Sequence, residues 1–190
     1  MRVTQTELPE VLLVEPARFG DERGYFTESY NRRVFADIGI DVDFVQDNHS
    51  YSAKRGTLRG LHYQAPPMAQ AKLVRVAHGA VRDVAVDARQ GSPRYGQWVA
   101  VDLSADNGRQ LFVPEGFLHG FVTLEPDTVF LYKVNNHYSK PHDGAVAWND
   151  PDLAIDWRID ADDVTVSEKD AKAPAFAAWT SPFSFQAAQI

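Results

Sequence analysis

The sequence predicts a mainly β fold, a barrel of short strands with a few short helices. Short valine-rich runs recur along the chain between turn residues, which is typical of β-barrels. Two segments, residues 56–79 and 108–119, add histidine, arginine and lysine to these runs, which indicates a polar site inside the barrel. No repeat or linker interrupts the pattern, and 190 residues with 44% apolar content can bury a core. We therefore predict one domain over residues 1–190.

The first elements are predicted to be two strands and a helix. Residues 9–14 form an opening strand, residues 19–24 a turn, and residues 25–28 a returning strand. Apolar side chains then recur at helical spacing in residues 31–39, with the first residue, an asparagine, as N-cap and the last, a glycine, as the stop.

The polar stretch of residues 46–49 stands where a strand is expected. One interpretation is a polar edge or a turn, because Asp47 and Asn48 are turn-forming residues. The other is a set of hydrogen-bonding groups for a ligand. The sequence favours these two interpretations equally.

The first core segment presents a conflict of side-chain direction. On a regular strand, alternation puts His62 on one face and Arg59 on the other. The two can serve one site only if Gly60 marks a bulge, or if Arg59 reaches its ligand from the strand end.

Later strands are predicted to pair in sequence order. Residues 81–87 form a strong strand, residues 98–103 pair with 109–113, and residues 120–124 pair with 129–134.

Two side chains on these strands allow two interpretations each. Asp83 either orients a histidine or is a surface charge. Tyr132 is either a core residue with a satisfied hydroxyl or an acid or base lining the pocket.

The C-terminal part is predicted to be irregular. A strand lies near residues 145–148, and a short helical segment begins at Ser167, its N-cap, and stops at Pro174. Residues from about 171 to 190 form a packed aromatic arm.

Composition limits the classes of function. The formal charge of −7 argues against general nucleic-acid binding, and the absence of cysteine excludes disulfides and thiolate metal sites. No stretch has the apolar length of a membrane helix, and the N-terminus lacks the apolar region of a signal peptide. We expect a cytoplasmic protein without a membrane partner.

The spacing of the two core segments resembles the signature motifs of the cupins, which are double-sheet jelly rolls. The first segment has a glycine, five residues and then His62; the second has a glycine, five residues, Pro114, Gly116 and then His119. Where metal-binding cupins continue with a histidine and a glutamate, this chain has Gln64 and Lys72. An amide is a poor ligand and an ammonium repels a cation, so no metal is expected.

A histidine, a lysine and an arginine in one pocket suggest a particular chemistry. They suit proton abstraction next to a carbonyl, whose developing enolate needs a nearby cation.

A more specific resemblance covers most of the chain, from about Leu12 to Asp170. The motifs FGDERGYFTESYN, FVQDNHS, LRGLHYQ, AKLVRV, GQWVAVDLSADNGRQLFVPEGFLHGF, LYKVNNHYS and WNDPDLAIDW occur in the order found in the dTDP-4-dehydrorhamnose 3,5-epimerase family. That resemblance implies a dTDP-4-dehydro-6-deoxy-glucose substrate, proton exchange at C3 and C5 through enolates, and no cofactor.

The resemblance also implies catalytic roles. His62 is the general base with Asp170 as its partner, Tyr132 is the acid that acts at C5, and Lys72 stabilises the enolate oxygen. From the residues alone, Asp83 remains a rival partner for His62.

The resemblance also implies binding roles, which the chemistry of the side chains suits. Arginine suits a diphosphate and tyrosine offers a flat face to thymine, which is expected of Tyr138. The family often has glutamate at position 143, so the shorter Asp143 puts that nucleotide contact in doubt. The family is a homodimer that exchanges N-terminal strands. The substrate-binding positions implied are Phe19, Arg23, Glu28, Gln46, Asp47, Asn48, Arg59, His119, Tyr138, Asp143 and Lys169.

Two alternatives remain. One is a monofunctional epimerase acting only at C3 or only at C5, against which Tyr132 argues. The other is a cupin that binds a sugar nucleotide without catalysis, which would need neither a base nor an acid.

Overall fold

The computed structural model describes residues 1–186 and confirms the mainly β prediction. The strands are β1 Arg2–Gln5, β2 Leu12–Glu15, β3 Arg18–Asp21, β4 Gly24–Thr27, β5 Gln46–Ser52, β6 Leu58–Gln64, β7 Lys72–His78, β8 Ala80–Asp87, β9 Trp98–Ser104, β10 Gln110–Val113, β11 Phe117–Thr123, β12 Thr128–Val134 and β13 Asp143–Ala145. The helices are α1 Arg32–Asp37 and α2 Glu168–Ala171, with 3₁₀ turns at Lys140–His142, Ala161–Asp163 and Phe176–Ala178.

The strands form two antiparallel sheets that face each other. One has six strands in the order β1-β2-β10-β7-β12-β5, and the other has five in the order β13-β6-β11-β8-β9. Strands β3 and β4 form a separate hairpin.

The main core lies between the two sheets. Val74 and Phe130 of the six-stranded sheet pack there against Val81 and Leu103 of the five-stranded sheet. A second apolar cluster covers the outer face of the five-stranded sheet and includes Phe183 from the predicted C-terminal arm. Residues 187–190 of that arm lie outside the described part of the chain.

Both helix predictions are confirmed at their starts. The Asn31 side chain accepts hydrogen bonds from the amides of Arg33 and Val34, and Gly39 has φ +90°, the left-handed conformation that ends a helix. The Ser167 side chain likewise accepts from the amide of Asp170 and caps α2. Within residues 1–186, no helix is long and apolar enough to cross a membrane.

The predicted strand pairs are wrong. β9 pairs with β8, whereas β10 pairs with β2 and β7; β11 pairs with β6 and β8, whereas β12 pairs with β5 and β7. Each predicted partner lies in the opposite sheet because the connecting turn crosses the sandwich instead of closing a hairpin.

The N-terminal and C-terminal strand bounds also differ from the prediction. The opening strand begins later, at Leu12, because the Val11 amide closes a turn onto the Leu8 carbonyl. The N-terminal strand β1 was not predicted, and β3 occupies part of the predicted turn at residues 19–24. The strand expected near residues 145–148 ends at Ala145.

Candidate active site

A pocket of about 380 Å³ opens between the two sheets. Arg59, His62 and His119 enter it from the five-stranded sheet, and Lys72 and Tyr132 enter it from the six-stranded sheet. The segment around α2 closes one side. The remaining lining residues are Ser50, Thr57, Leu58, Phe121, Phe130, Thr165, Val166, Ser167, Lys169 and Asp170.

His62 is paired with Asp170 rather than Asp83. Its Nε2 lies 2.6 Å from Asp170 Oδ1, and the Asp170 side chain is only 3% exposed. Burial alone would raise the pKa of Asp170, but the hydrogen bond and charge of His62, with the Ser167 hydroxyl, lower it below its ordinary value. A carboxylate held in this way accepts the Nε2 proton, so the other ring nitrogen, Nδ1, is left to act as a base in the pocket.

A bulge at Gly60 lets Arg59 and His62 face the same pocket. The pairing of β6 with β11 shifts register between His119 and Phe121, opposite Gly60, which has φ +125°. A Cβ there would lie 2.6 Å from Gly120 Cα, so a side chain does not fit. Of the two explanations that the sequence left open, the bulge is therefore correct.

Lys72 and Tyr132 stand opposite the His62–Asp170 pair. Burial lowers the pKa of Lys72 to about 8, although the charges of Asp83 and Asp143 oppose the change. Burial also raises the pKa of Tyr132, so its hydroxyl keeps its proton at neutral pH. The first side chain is suited to stabilise an anion, and the second is suited to donate a proton.

Asp83 is bonded to His119. His119 Nε2 lies 2.9 Å and 3.1 Å from the two carboxylate oxygens, and the Asp83 side chain is 0% exposed. Burial lowers the pKa of His119, while the charge and hydrogen bond of Asp83 oppose it. Asp83 is thus not a surface charge but a buried partner of a histidine, and that histidine is His119.

Five other predicted binding residues form one hydrogen-bonded chain. Lys169 Nζ donates to Asp143 at 2.5 Å, and the Tyr138 hydroxyl donates to the same carboxylate. The Tyr138 amide donates to Gln46, whose side-chain amide donates to Asn48 at 2.8 Å. Because Lys169 lines the pocket, this chain begins at its wall.

Four further predicted binding residues lie outside both the pocket lining and this hydrogen-bonded chain. Phe19 and Arg23 belong to the exposed β3–β4 hairpin, where the Arg23 side chain is 85% exposed and paired with Asp21. Glu28 follows that hairpin and accepts a hydrogen bond from Asn31. Asp47 lies on the outward face of β5, paired with Lys133 at 2.8 Å.

Several lining residues were missed by sequence reasoning. Phe121 and Phe130, whose rings stack with centroids 4.0 Å apart, lie two residues from His119 and Tyr132 on the same strand faces. Ser50 likewise lies two residues from Asn48 on the same face of β5. Strand alternation around the predicted residues could have identified all three. No sequence signal points to Thr165.

Gln64 and Lys72 occupy places where metal-binding cupins have ligands. The Gln64 amide donates to the carbonyls of Met68 and His137, and it is buried outside the pocket lining. Within residues 1–186, no three histidine, cysteine or acidic side chains are grouped as metal ligands would be.

Comparison with known proteins gives one family. A family model described as dTDP-4-dehydrorhamnose 3,5-epimerase matches residues 5–178. The dTDP-4-dehydrorhamnose 3,5-epimerase of Salmonella typhimurium is 55% identical over 175 residues, covering 92% of this chain and 94% of the relative.

Solved structures agree with that match. The dTDP-6-deoxy-D-glucose-3,5-epimerase of Legionella pneumophila, solved in complex with dTDP-4-keto-L-rhamnose, has a TM-score of 0.93 and 43% identity, covering 98% of this chain and 99% of its own. A 3′-monoepimerase from Streptomyces bikiniensis, solved with dTDP-quinovose, has a TM-score of 0.83 and 32% identity, covering 91% of this chain and 87% of its own.

Proposed function

Because this chain belongs to the dTDP-4-dehydrorhamnose 3,5-epimerase family, we propose how its pocket carries out that reaction. The enzyme epimerises dTDP-4-dehydro-6-deoxy-D-glucose at C3 and C5 to give dTDP-4-dehydro-L-rhamnose, a step in dTDP-L-rhamnose synthesis. One observation supports the residue roles above all others. A carboxylate-bound histidine, His62, faces a half-buried tyrosine, Tyr132, across one cavity.

The first step is removal of a proton next to the C4 ketone. Nδ1 of His62 takes the proton, and the electron pair moves to the C4 oxygen as an enolate. Asp170 stabilises the imidazolium that forms, and the Lys72 ammonium stabilises the oxyanion. The balance is one proton moved and no electron transferred, so the step needs no redox partner.

Inversion requires a proton to return on the other face of the carbon. Tyr132 donates it at C5, and solvent then restores the proton to the phenolate while His62 releases its own to water. Base and acid on opposite walls of the cavity support this assignment, since groups on one wall would return the proton to the face that lost it.

The diphosphate and nucleotide are bound at the pocket wall and along the hydrogen-bonded chain. Arg59 suits the diphosphate through paired hydrogen bonds, and His119 contacts the sugar. Gln46, Asn48, Asp143 and Lys169 contact the nucleotide. Tyr138, 58% exposed, offers its ring to thymine.

The remaining predicted binding residues act from a second copy of the chain. The β3–β4 hairpin exposes Phe19, Tyr25 and Phe26 at 66%, 58% and 69%, apolar surface that a lone chain rarely leaves in water. In a homodimer with exchanged N-terminal strands, Phe19, Arg23 and Glu28 complete the partner's pocket. Asp47 is also exposed, on the outward face of β5.

The 3′-monoepimerase neighbour supports the main alternative, action at C3 alone. Its lower identity, 32% against 55% for the 3,5-epimerase relative, favours the double activity. A cupin that only binds its ligand would not need a tyrosine opposite the His62–Asp170 pair.

One incubation separates these functions. The protein is mixed with dTDP-4-dehydro-6-deoxy-D-glucose in D₂O without a reductase, and the C3 and C5 protons are followed by NMR. Exchange at both carbons is expected. Exchange at C3 alone would identify a monoepimerase, and no exchange with saturable dTDP binding would leave a binding protein.

A further inference from the structure

A second histidine–carboxylate pair lies beside the first. His119 and His62 are directly opposite each other on β11 and β6, and each uses Nε2 to contact a carboxylate, Asp83 or Asp170. Among residues 1–186, Nδ1 of neither ring has a hydrogen-bond partner, and neither atom is among the sealed unpaired polar atoms. Both Nδ1 atoms therefore open onto the pocket.

The two pairs differ in their carboxylates. Asp170 is carried by the short helix α2 and pairs with a half-exposed histidine, whereas Asp83 lies in the middle of β8 and is fully buried. A buried carboxylate is costly unless its charge is used or compensated. His119 compensates it poorly, because burial lowers the pKa of His119 and the ring is neutral at neutral pH.

Lys72 lines the same pocket as His119, the ring to which Asp83 is hydrogen-bonded, and the charge of Asp83 acts on its ammonium. Its ammonium makes no hydrogen bond or ion pair within residues 1–186, and burial lowers the pKa of Lys72 to about 8 against the opposing charge of Asp83. The other groups near it are Asp143, Lys169, His62, His119, Arg59 and Tyr132. The charge of Asp143 is already neutralised by Lys169, whose Nζ lies 2.5 Å from its carboxylate. Of these two carboxylates, Asp83 is therefore the one whose charge can act on Lys72.

We propose that Asp83 is a positioning residue for the reaction: it holds His119 with Nδ1 toward the substrate as a hydrogen-bond acceptor, and its charge keeps the Lys72 ammonium protonated. The proposal rests on the proposed function, because the ammonium matters only if an enolate forms. Asp83 acts through His119 and Lys72 and does not itself touch the sugar.

Asp83→Asn tests the charge and keeps the shape. The amide has the shape of the carboxylate, and its oxygen can accept the Nε2 proton of His119, while the charge is lost. The alkaline limb of the kcat/KM profile should move to lower pH by about one unit, as expected for loss of a close opposite charge. The dissociation constant for dTDP should change less than about twofold.

Two variants serve as controls. His119→Gln keeps the Asp83 charge and offers it an amide donor, so the rate should fall while the limb stays in place. Asp87→Asn removes an equally buried carboxylate from the same strand, one bound to Arg89 and Ser92 outside the pocket. It should lower the melting temperature without moving the limb.

An unmoved limb in a folded Asp83→Asn protein would overturn the proposal. A measurement on the unaltered protein decides the case if that variant does not fold: ¹⁵N NMR of His119 should show Nε2 protonated and Nδ1 unprotonated at pH 7.5. A protonated Nδ1 would also overturn it. Failure of the proposed function is distinct, because the unaltered protein would then show no exchange at C3 or C5.

Discussion

The two walls of the pocket prepare their side chains in different ways. On the five-stranded wall, His62 and His119 are each fixed by a carboxylate behind the ring. On the six-stranded wall, Lys72 and Tyr132 make no side-chain hydrogen bond within residues 1–186, and burial alone dominates their pKa shifts. Hydrogen bonds to carboxylates orient the side chains of the first wall, whereas those of the second have no such bonds within residues 1–186.

This difference matches the two tasks in an epimerisation. A base must be oriented and its positive charge stabilised, which a paired carboxylate does. An acid must keep its proton until it is needed, and desolvation has this effect on Tyr132, the proposed acid, by disfavouring the phenolate. The following experiments act on one wall at a time.

Removal of the proposed base, His62, should have the largest effect. His62→Asn is expected to lower exchange at both carbons by about 10³-fold, since general-base catalysis contributes about 10²–10⁴-fold. The dissociation constant for dTDP should be almost unchanged. His78→Asn, at an exposed histidine at the end of β7, is the matched control. Equal loss of turnover and dTDP binding would indicate a structural role for His62.

Removal of the cation on the opposite wall should come next. Lys72→Met keeps the length and loses the charge, and about 10²-fold loss of exchange at both carbons is expected from removing one oxyanion-stabilising group. The enolate at either carbon uses the same C4 oxygen, so the two losses should be equal. A loss confined to one carbon would contradict this role.

Removal of the acid should separate the two carbons. Tyr132→Phe is expected to abolish inversion at C5 while exchange at C3 remains within about tenfold of the unaltered rate. NMR of the product stereochemistry measures this directly. Equal inhibition at both carbons would show that Tyr132 serves a general binding role instead.

The pH profile should reflect the desolvated wall. Because the pKa of Lys72 is lowered to about 8, its ammonium is present below that pH and is lost as pH rises through it. We therefore expect kcat/KM to fall above about pH 8, and Lys72→Arg, which stays charged, to lose this limb even if its rate is lower. A limb that persists in the arginine variant would belong to another group.

The smallest effect is expected at the helix that carries Asp170. Ser167→Ala removes the N-cap bond to the Asp170 amide and should cost about 1 kcal/mol, or about 2–4 °C in melting temperature. The rate should fall only a few-fold, since the His62–Asp170 bond remains. A change in dTDP affinity larger than the change in rate would contradict this assignment.

The sequence by itself determined the local features and most of the pocket's composition. The Asn31 and Ser167 caps, the Gly39 stop and the mainly β class follow from preferences that act within a few residues. Motif resemblance identified the four residues proposed to be catalytic, His62, Lys72, Tyr132 and Asp170, and all line one cavity.

Tertiary structure alone decided which of these groups are partners. The residues alone left Asp83 as a rival to Asp170 for the pairing with His62. Only the crossing of α2 over β6 brings Asp170 to the ring, while β8 brings Asp83 to His119. Sequence order also gave wrong pairs for β9 with β10 and β11 with β12, since each turn carries the chain to the opposite sheet. Whether a turn closes a hairpin or crosses a sandwich depends on which apolar faces are buried together, and that is a property of the whole chain.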